Sequence, residues 1–326
     1  MTRVSFAAVF FSLVAAVWSP QAAAADAWPS RPIRLVIPSA PGTGSDLVGR
    51  AMAERLSAAL KQPVFVDNKP GGSGLIATRA VMSAPADGHT LLYTNASFTV
   101  MLAAMKPDLG IDFNKDLTPI ALTVVGGVFL LVNPAFPAQN LKELIAEVKA
   151  HPDKYTYGSW GIGSNGHLTM EWLKRQTGMK TEHVAYKSMG TILTEMSTGI
   201  LQIGWTDPVS SVPFIQTGRV KAIAVNGTVR TPQLPNLPTM GEQGYPFRPL
   251  GWHGMFAPAG TPPAIVERIH AEVNRVLATQ ELQALLVRMN LEPTPVWTTE
   301  QFRAMMARDL EDWKKIVTEA NIKATD

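Results

Sequence analysis

Two loops of one form most constrain how this 326-residue chain can fold. Gly42-Thr43-Gly44-Ser45-Asp46 and Gly161-Ile162-Gly163-Ser164-Asn165 both read G-x-G-S-[DN]. Each lies between a strand-like run and a helix-like run. "IRLVIP" (Ile33–Pro38) leads into the first loop. A helix over Ser45–Lys61 leaves it, with Leu47, Val48, Ala51, Met52, Leu56 and Leu60 on one face. "YTYGSW" (Tyr155–Trp160) leads into the second loop, and a helix over His167–Thr177 leaves it. Glycine lets backbone approach a ligand or take positive φ. The first turn of a helix adds unpaired N–H groups and about half a positive charge. Each loop is therefore a candidate anion seat that needs neither lysine nor arginine. Ser45 and Ser164 could instead only cap their own helices. Two matching loops in matching positions favour the ligand reading.

The rest of the chain repeats the β-loop-α pattern. "PVFVDN" (Pro63–Asn68), a helix over Leu75–Met82 and "HTLLYTN" (His89–Asn95) follow the first loop. This alternation predicts an α/β protein with parallel sheets covered by helices. "TPIALTVVGGVFLLVN" (Thr118–Asn133) reads as two strands broken at Gly126–Gly127, a passage between domains. A second series runs through helix Leu141–Ala150, capped by Asn140, to strand Val220–Gly227. Within it, Asp207 and Pro208 open a helix as N-cap and N1. "RTPQLPNLPTMGEQGYPF" reads as a surface connection. The remainder reads as mostly helical (Pro263–Thr279, Glu281–Met289, Thr299–Asn321) and packs back on the first domain. The expected plan is two lobes: residues 26–126 with 228–326, and residues 127–227.

The N-terminus bounds the compartment. Arg3, the apolar run Val4–Trp18 and the small residues before Asp26 predict a signal peptide over residues 1–25. The run is shorter than the roughly 20 residues of a spanning helix. A soluble, exported mature chain is expected. With no cysteine, disulfide frameworks, thiolate metal sites and cysteine nucleophiles are excluded. The net charge of +3 comes from scattered residues with no basic stripe, which argues against nucleic acid.

Catalytic templates fit poorly. No Walker lysine occurs, G-x-S-x-G fails at Ile162, and the six histidines have no metal-ligand spacing, so neither a metal nor a cofactor is expected. Gly161, Gly163 and Gly166 do form G-x-G-x-x-G, with Glu182 near the spacing of a ribose-binding acid. A NAD-dependent oxidoreductase is thus the alternative. Export, and a fingerprint that opens a second lobe, count against it. His167 could reach a ligand or only bind its own loop. Asp207, Asn95 and Ser97 follow predicted strands, where α/β sheets bind ligands. Trp160 and Trp205 each end a predicted strand and could wall a cleft for a bulky ligand.

With these residues in view, the chain resembles the tripartite tricarboxylate transporter substrate-binding receptors of the Bug type. The resemblance runs through "WPSRPIRLVIPSAPGTGSD", "VFVDNKPGGSG", "ADGHTLL", "YGSWGIGSNGHL", "VAYKSMG", "GRVKAIAV", "LPNLPTMGEQGYP" and "GWHGMFAPAGTPPAIVERI". It implies a two-lobe, type II-like periplasmic binding protein, a hinge, and a carboxylate-bearing ligand between the lobes. It also implies delivery to membrane transporter subunits by a monomeric receptor. The contacts it implies are Gly42, Thr43, Gly44, Ser45, Asp46, Asn95 and Ser97 from one lobe. Gly163, Ser164, Asn165, His167 and Asp207 come from the other. Thr43 stands where the family commonly has glycine, and Ser188 and Met189 where it has small residues, so pocket size and polarity differ here. With Trp160, Trp205 and Met189, the expected ligand is an aromatic or otherwise bulky mono- or dicarboxylate. A receptor reporting to a membrane sensor fits the same residues.

Overall fold

The computed structural model describes residues 28–289 and 291–322. The signal peptide expected over residues 1–25 lies outside them. The first lobe begins with β1 (Ile33–Ile37), α1 (Gly44–Leu60), β2 (Val64–Asn68), α2 (Leu75–Met82), β3 (Thr90–Asn95), α3 (Val100–Met105) and β4 (Leu117–Gly126). The chain then crosses at Gly126–Gly127. The second lobe holds β5 (Phe129–Val132), α4 (Leu141–Ala150), β6 (Thr156–Ser159), α5 (Asn165–Thr177), β7 (Glu182–Ala185), α6 (Met189–Thr198), β8 (Ile203–Thr206), α7 (Pro208–Gln216) and β9 (Lys221–Val225). The return brings β10 (Gly251–Pro258), α8 (Pro263–Leu277), α9 (Gln280–Arg288), β11 (Glu292–Pro293) and α10 (Thr299–Glu319). Among the described residues, no helix is long and apolar enough to cross a membrane.

The sheets are ordered β11-β4-β10-β3-β1-β2 and β7-β6-β8-β5-β9. Apart from β11 they share one plan. Three neighbouring strands run parallel, and a reversed strand separates them from an outer one. In the first lobe β1 lies parallel to β2 and β3, while β10 is antiparallel to β3 and β4. In the second, β6 lies parallel to β7 and β8, while β5 is antiparallel to β8 and β9. Each reversed strand is the one the chain lays down on arriving from the other lobe. The sheets are thus mixed rather than parallel, and the C-terminal part supplies a central strand as well as helices. β10 escapes sequence patterning because it is buried along most of its length, so apolar and polar residues do not alternate. Its Gly254 leaves room for α10: a Cβ there would lie 2.4 Å from the Phe302 ring.

The expected second boundary at residue 228 shifts as well. The Pro-rich segment stays with β9, through Val225 N–H to Pro238 O (3.1 Å) and Met240 N–H to Val225 O (2.9 Å). Leu234 and Leu237 pack into the second lobe's core. The segment covers an open sheet edge that would otherwise expose unpaired backbone, and the chain returns only on reaching Gly251.

The two passages between lobes run side by side. A Cβ on Gly127 would stand 2.4 Å from the Asn226 carbonyl, which is why the break needs glycine. The buried Asn226 ties the passages together. Its Oδ1 accepts from Val128 N–H (2.7 Å) and its own N–H donates to Val128 O (3.1 Å). Its Nδ2 donates to Asn165 Oδ1 (2.7 Å) and Thr169 Oγ1 (3.2 Å) on α5. Away from the cleft, Trp172 of α5, Phe247 and Trp313 of α10 stack edge to face at 5.0 and 5.8 Å, so α10 bridges the lobes.

Candidate functional site

The parallel strands of both sheets end at one cleft of about 940 Å³ between the lobes. This is where ligands bind in open α/β sheets. From the first lobe, Gly42, Thr43, Gly44, Ser45, Asn95 and Ser97 line it. From the second come Trp160, Asn165, Lys187, Met189, Asp207 and Ser210. Val124–Val128 of the crossing and His253 of β10 form the back wall.

The first loop is built from inside. Gly42 has φ +83°, which an L side chain resists. Thr43 is the N-cap of α1, accepting from Asp46 N–H (3.4 Å) and donating to Ala40 O (3.0 Å). Asp46, expected as a contact, instead braces the loop from beneath. Its buried carboxylate accepts from Gly42 N–H (2.8 Å), Arg50 Nε (3.0 Å) and Asn68 Nδ2 (2.9 Å). Burial pushes its pKa up, but these donors outweigh burial and hold it below the ordinary value. What the loop shows the cleft is the first turn of α1, with Gly44, Ser45 and their amides. Ser97 donates to Met101 Sδ at the rim (3.6 Å).

The second loop is not a copy of the first. Ser164 caps α5 through His167 N–H (3.3 Å) and is hydrogen-bonded to Ser159 Oγ (3.0 Å). Gly163 N–H donates to His167 Nδ1 (3.1 Å), and the His167 ring stacks on His183 at 4.2 Å. Gly163, Ser164 and His167 are therefore turned behind the cleft, away from its lining. Trp205 also lies elsewhere. Strand alternation points it toward α5, fully buried, where a Cβ on Gly166 would meet it at 2.5 Å. Trp160 does reach the lining.

From this loop Asn165 faces the cleft. Its Oδ1 accepts from Thr169 Oγ1 (2.9 Å) and Asn226 Nδ2, so the amide cannot turn over. Asn165 is one of the lining residues, and its Nδ2 is buried beside Gly251 without a hydrogen-bond partner among the described residues. A buried donor left unmade costs about 1–3 kcal/mol, and an anion's oxygen would relieve that cost. Asp207 caps α7 through Ser210 N–H (2.7 Å). Burial raises its carboxyl above the ordinary value, and the Ser210 bonds only partly offset this. It faces Gly44 across the cleft: a Cβ on Gly44 would lie 3.4 Å from Asp207 Oδ2.

Three residues outside the sequence candidates bear on the cleft: Lys187 and His253 line it, and Asn226 holds the Asn165 amide. Lys187 sits in "VAYKSMG", where a lone cation directly after a parallel strand was the available signal. It is exposed at the mouth of the cleft and has no acidic partner among the described residues. Among those residues no cluster of histidine, aspartate or glutamate suits a metal.

The histidine pair behind Asn165 carries a pH dependence. Burial lowers His167 to about 4 and His183 to about 3, with His167 and Lys174 adding to the effect on His183. Both sit below the free value of 6.5. Below that pH the unfolded chain takes up protons that the folded pair does not, so stability falls as pH drops toward 4 and 3. The loss reaches about 1.4 kcal/mol per pH unit for each such proton. Thermal melts from pH 7 to pH 4 should show a falling Tm, with a shallower fall in His183→Gln. A flat Tm across that window would contradict a neutral buried pair.

Comparison with known proteins agrees with this architecture. A family model described as "Tripartite tricarboxylate transporter family receptor" (TctC) matches residues 48–322. Protein BugT of Bordetella pertussis is 29% identical over 325 residues, 99% of each chain. The solved structure of R. palustris Rpa4515 with adipate has a TM-score of 0.83 at 28% identity, covering 91% of this chain and 99% of that one. MatC from Rhodopseudomonas palustris with bound malate has a TM-score of 0.80 at 30% identity, covering 89% and 100%. A two-lobe fold, a cleft fed by both sheets and a family match over most of the chain lead to one assignment: this chain belongs to the tripartite tricarboxylate transporter family of periplasmic solute receptors.

Proposed function

We propose that this receptor captures a dicarboxylate between its lobes and delivers it to the membrane subunits of a tripartite transporter. The observation that carries the reading is the Asn165 amide. It is locked by two partners on its oxygen, while its nitrogen is a buried, unspent donor on a residue that lines the cleft. Across the cleft stand the Ser45 hydroxyl and the first-turn amides of α1. A carboxylate between them engages both lobes only when the cleft is closed. Closure by a ligand requires such differential affinity. Lys187 supplies a positive charge for a second carboxylate, and Trp160, Met189 and Val124–Val128 give the spacer an apolar wall. The adipate and malate of the related structures are both dicarboxylates.

The NAD reading loses support in the second loop. The Gly163 N–H, which a pyrophosphate would need, is spent on His167 Nδ1. Lys187→Met tests the dicarboxylate reading. It should weaken malate and adipate binding about tenfold, the worth of one charge-assisted contact, with monocarboxylates little changed. Equal weakening of both classes, or no weakening, would sink it.

A further inference from the structure

His253 is the one histidine that lines the cleft, and its partners constrain where its proton sits. Its Nε2 lies 3.1 Å from Ser45 Oγ. Its Nδ1 is buried and has no hydrogen-bond partner among the described residues. The ring packs edge-on against Tyr93 at 5.8 Å, inside the sheet. Burial lowers its pKa to about 4, so the ring is neutral near pH 7 and carries a single proton.

Two arrangements of that proton are possible. With the proton on Nδ1, a buried N–H is orphaned and Nε2 accepts from the Ser45 hydroxyl. With the proton on Nε2, the ring donates to Ser45 Oγ and only a lone pair is left unmet at Nδ1. Orphaned buried N–H groups are the rarer defect, and Nε2–H is the commoner tautomer of a free neutral histidine side chain. Ser45 has a second fixed neighbour. Asn95 Oδ1 accepts from Phe98 N–H (3.3 Å), which orients the amide so that Nδ2 donates to Ser45 Oγ (3.2 Å).

We propose that His253 is a positioning residue for the ligand's carboxylate: Nε2–H and the Asn95 amide fill both lone pairs of Ser45 Oγ and turn its hydroxyl proton into the cleft. The hydroxyl is then a pre-aimed donor beside the first-turn amides of α1. The reverse tautomer would leave Ser45 donating to a base, the arrangement of a nucleophile rather than of a receptor. The inference rests on the receptor reading for its ligand but not for its geometry.

Two readings on ¹⁵N-labelled protein test it. Long-range ¹H–¹⁵N spectra of the ligand-free protein should place the His253 proton on Nε2; a proton on Nδ1 overturns the proposal. Acetate then serves as a minimal carboxylate probe, followed through the amide signals of Gly44–Leu47. His253→Phe, which keeps the ring's bulk but has no donor, should weaken acetate about tenfold. His253→Gln, whose amide can donate, should recover most of that loss. Equal acetate affinity in wild type and His253→Phe overturns the proposal. Silence toward acetate in wild type with Nε2 protonated would instead count against the receptor reading and leave the hydroxyl orientation standing.

Discussion

Gly44→Asp should abolish carboxylate binding while leaving the fold in place. Gly44 opens α1 with no left-handed φ, and its Cβ position lies 3.4 Å from Asp207 Oδ2. An aspartate in the first turn suits the helix dipole but also stands beside the Asp207 carboxylate, so the free protein should stay folded with its Tm lowered by several degrees, and Gly44→Asp with Asp207→Asn should recover that Tm. The same side chain places a negative charge in the anion seat. At an effective dielectric near 20, two charges about 4 Å apart repel by about 4 kcal/mol. Allowing for screening, affinity should fall at least 100-fold. Gly44→Asn is close in size and uncharged, and it should stay within about tenfold of wild type. Binding by Gly44→Asp at near wild-type affinity would show that the carboxylate does not sit at the start of α1.

Asn226→Ala should cause the largest loss of stability among substitutions at the lobe junction. It removes the acceptor for Val128 N–H and the donor to Asn165 and Thr169, all in buried surroundings. An orphaned buried N–H and a cavity the size of an amide together cost about 3 kcal/mol, or roughly 6 °C in Tm for a chain of this size. Binding should weaken too, because Asn165 then keeps only Thr169 to hold its amide in place. An unchanged Tm would mean that the crossing is held by the strand pairings alone.

Much of this architecture is legible in the residues. The β-loop-α rhythm marks the helices beside both G-x-G-S loops within a residue or two, because each helix has a polar cap and an apolar stripe. Gly126–Gly127 marks the first crossing, since at Gly127 only glycine tolerates the second passage so close. Other features depend on contacts distant in sequence. Ser164 and Ser45 occupy equivalent positions in the G-x-G-S loops, yet Ser164 caps α5 and meets Ser159 within its own lobe, while Ser45 lies inside α1, capped by Thr43, and meets His253 from 208 residues away. No local pattern separates the two. A strand-end position suggests a rim for Trp205, but strand register turns it under α5. β10 lacks alternation because it is buried in the middle of the first sheet. The split of the second loop into residues behind the cleft (Gly163, Ser164, His167) and one lining residue (Asn165) follows from the His167–His183 stack, which needs β7 beside β6.

The central claim is that the cleft selects for a carboxylate. Titration calorimetry of the mature wild-type protein against malate, adipate, their diamides and NAD tests it most directly. The account predicts one-to-one binding of at least one of the two dicarboxylates, with its diamide at least 100-fold weaker and NAD silent. Equal affinity for acid and diamide, or binding of NAD with neither acid bound, would contradict it.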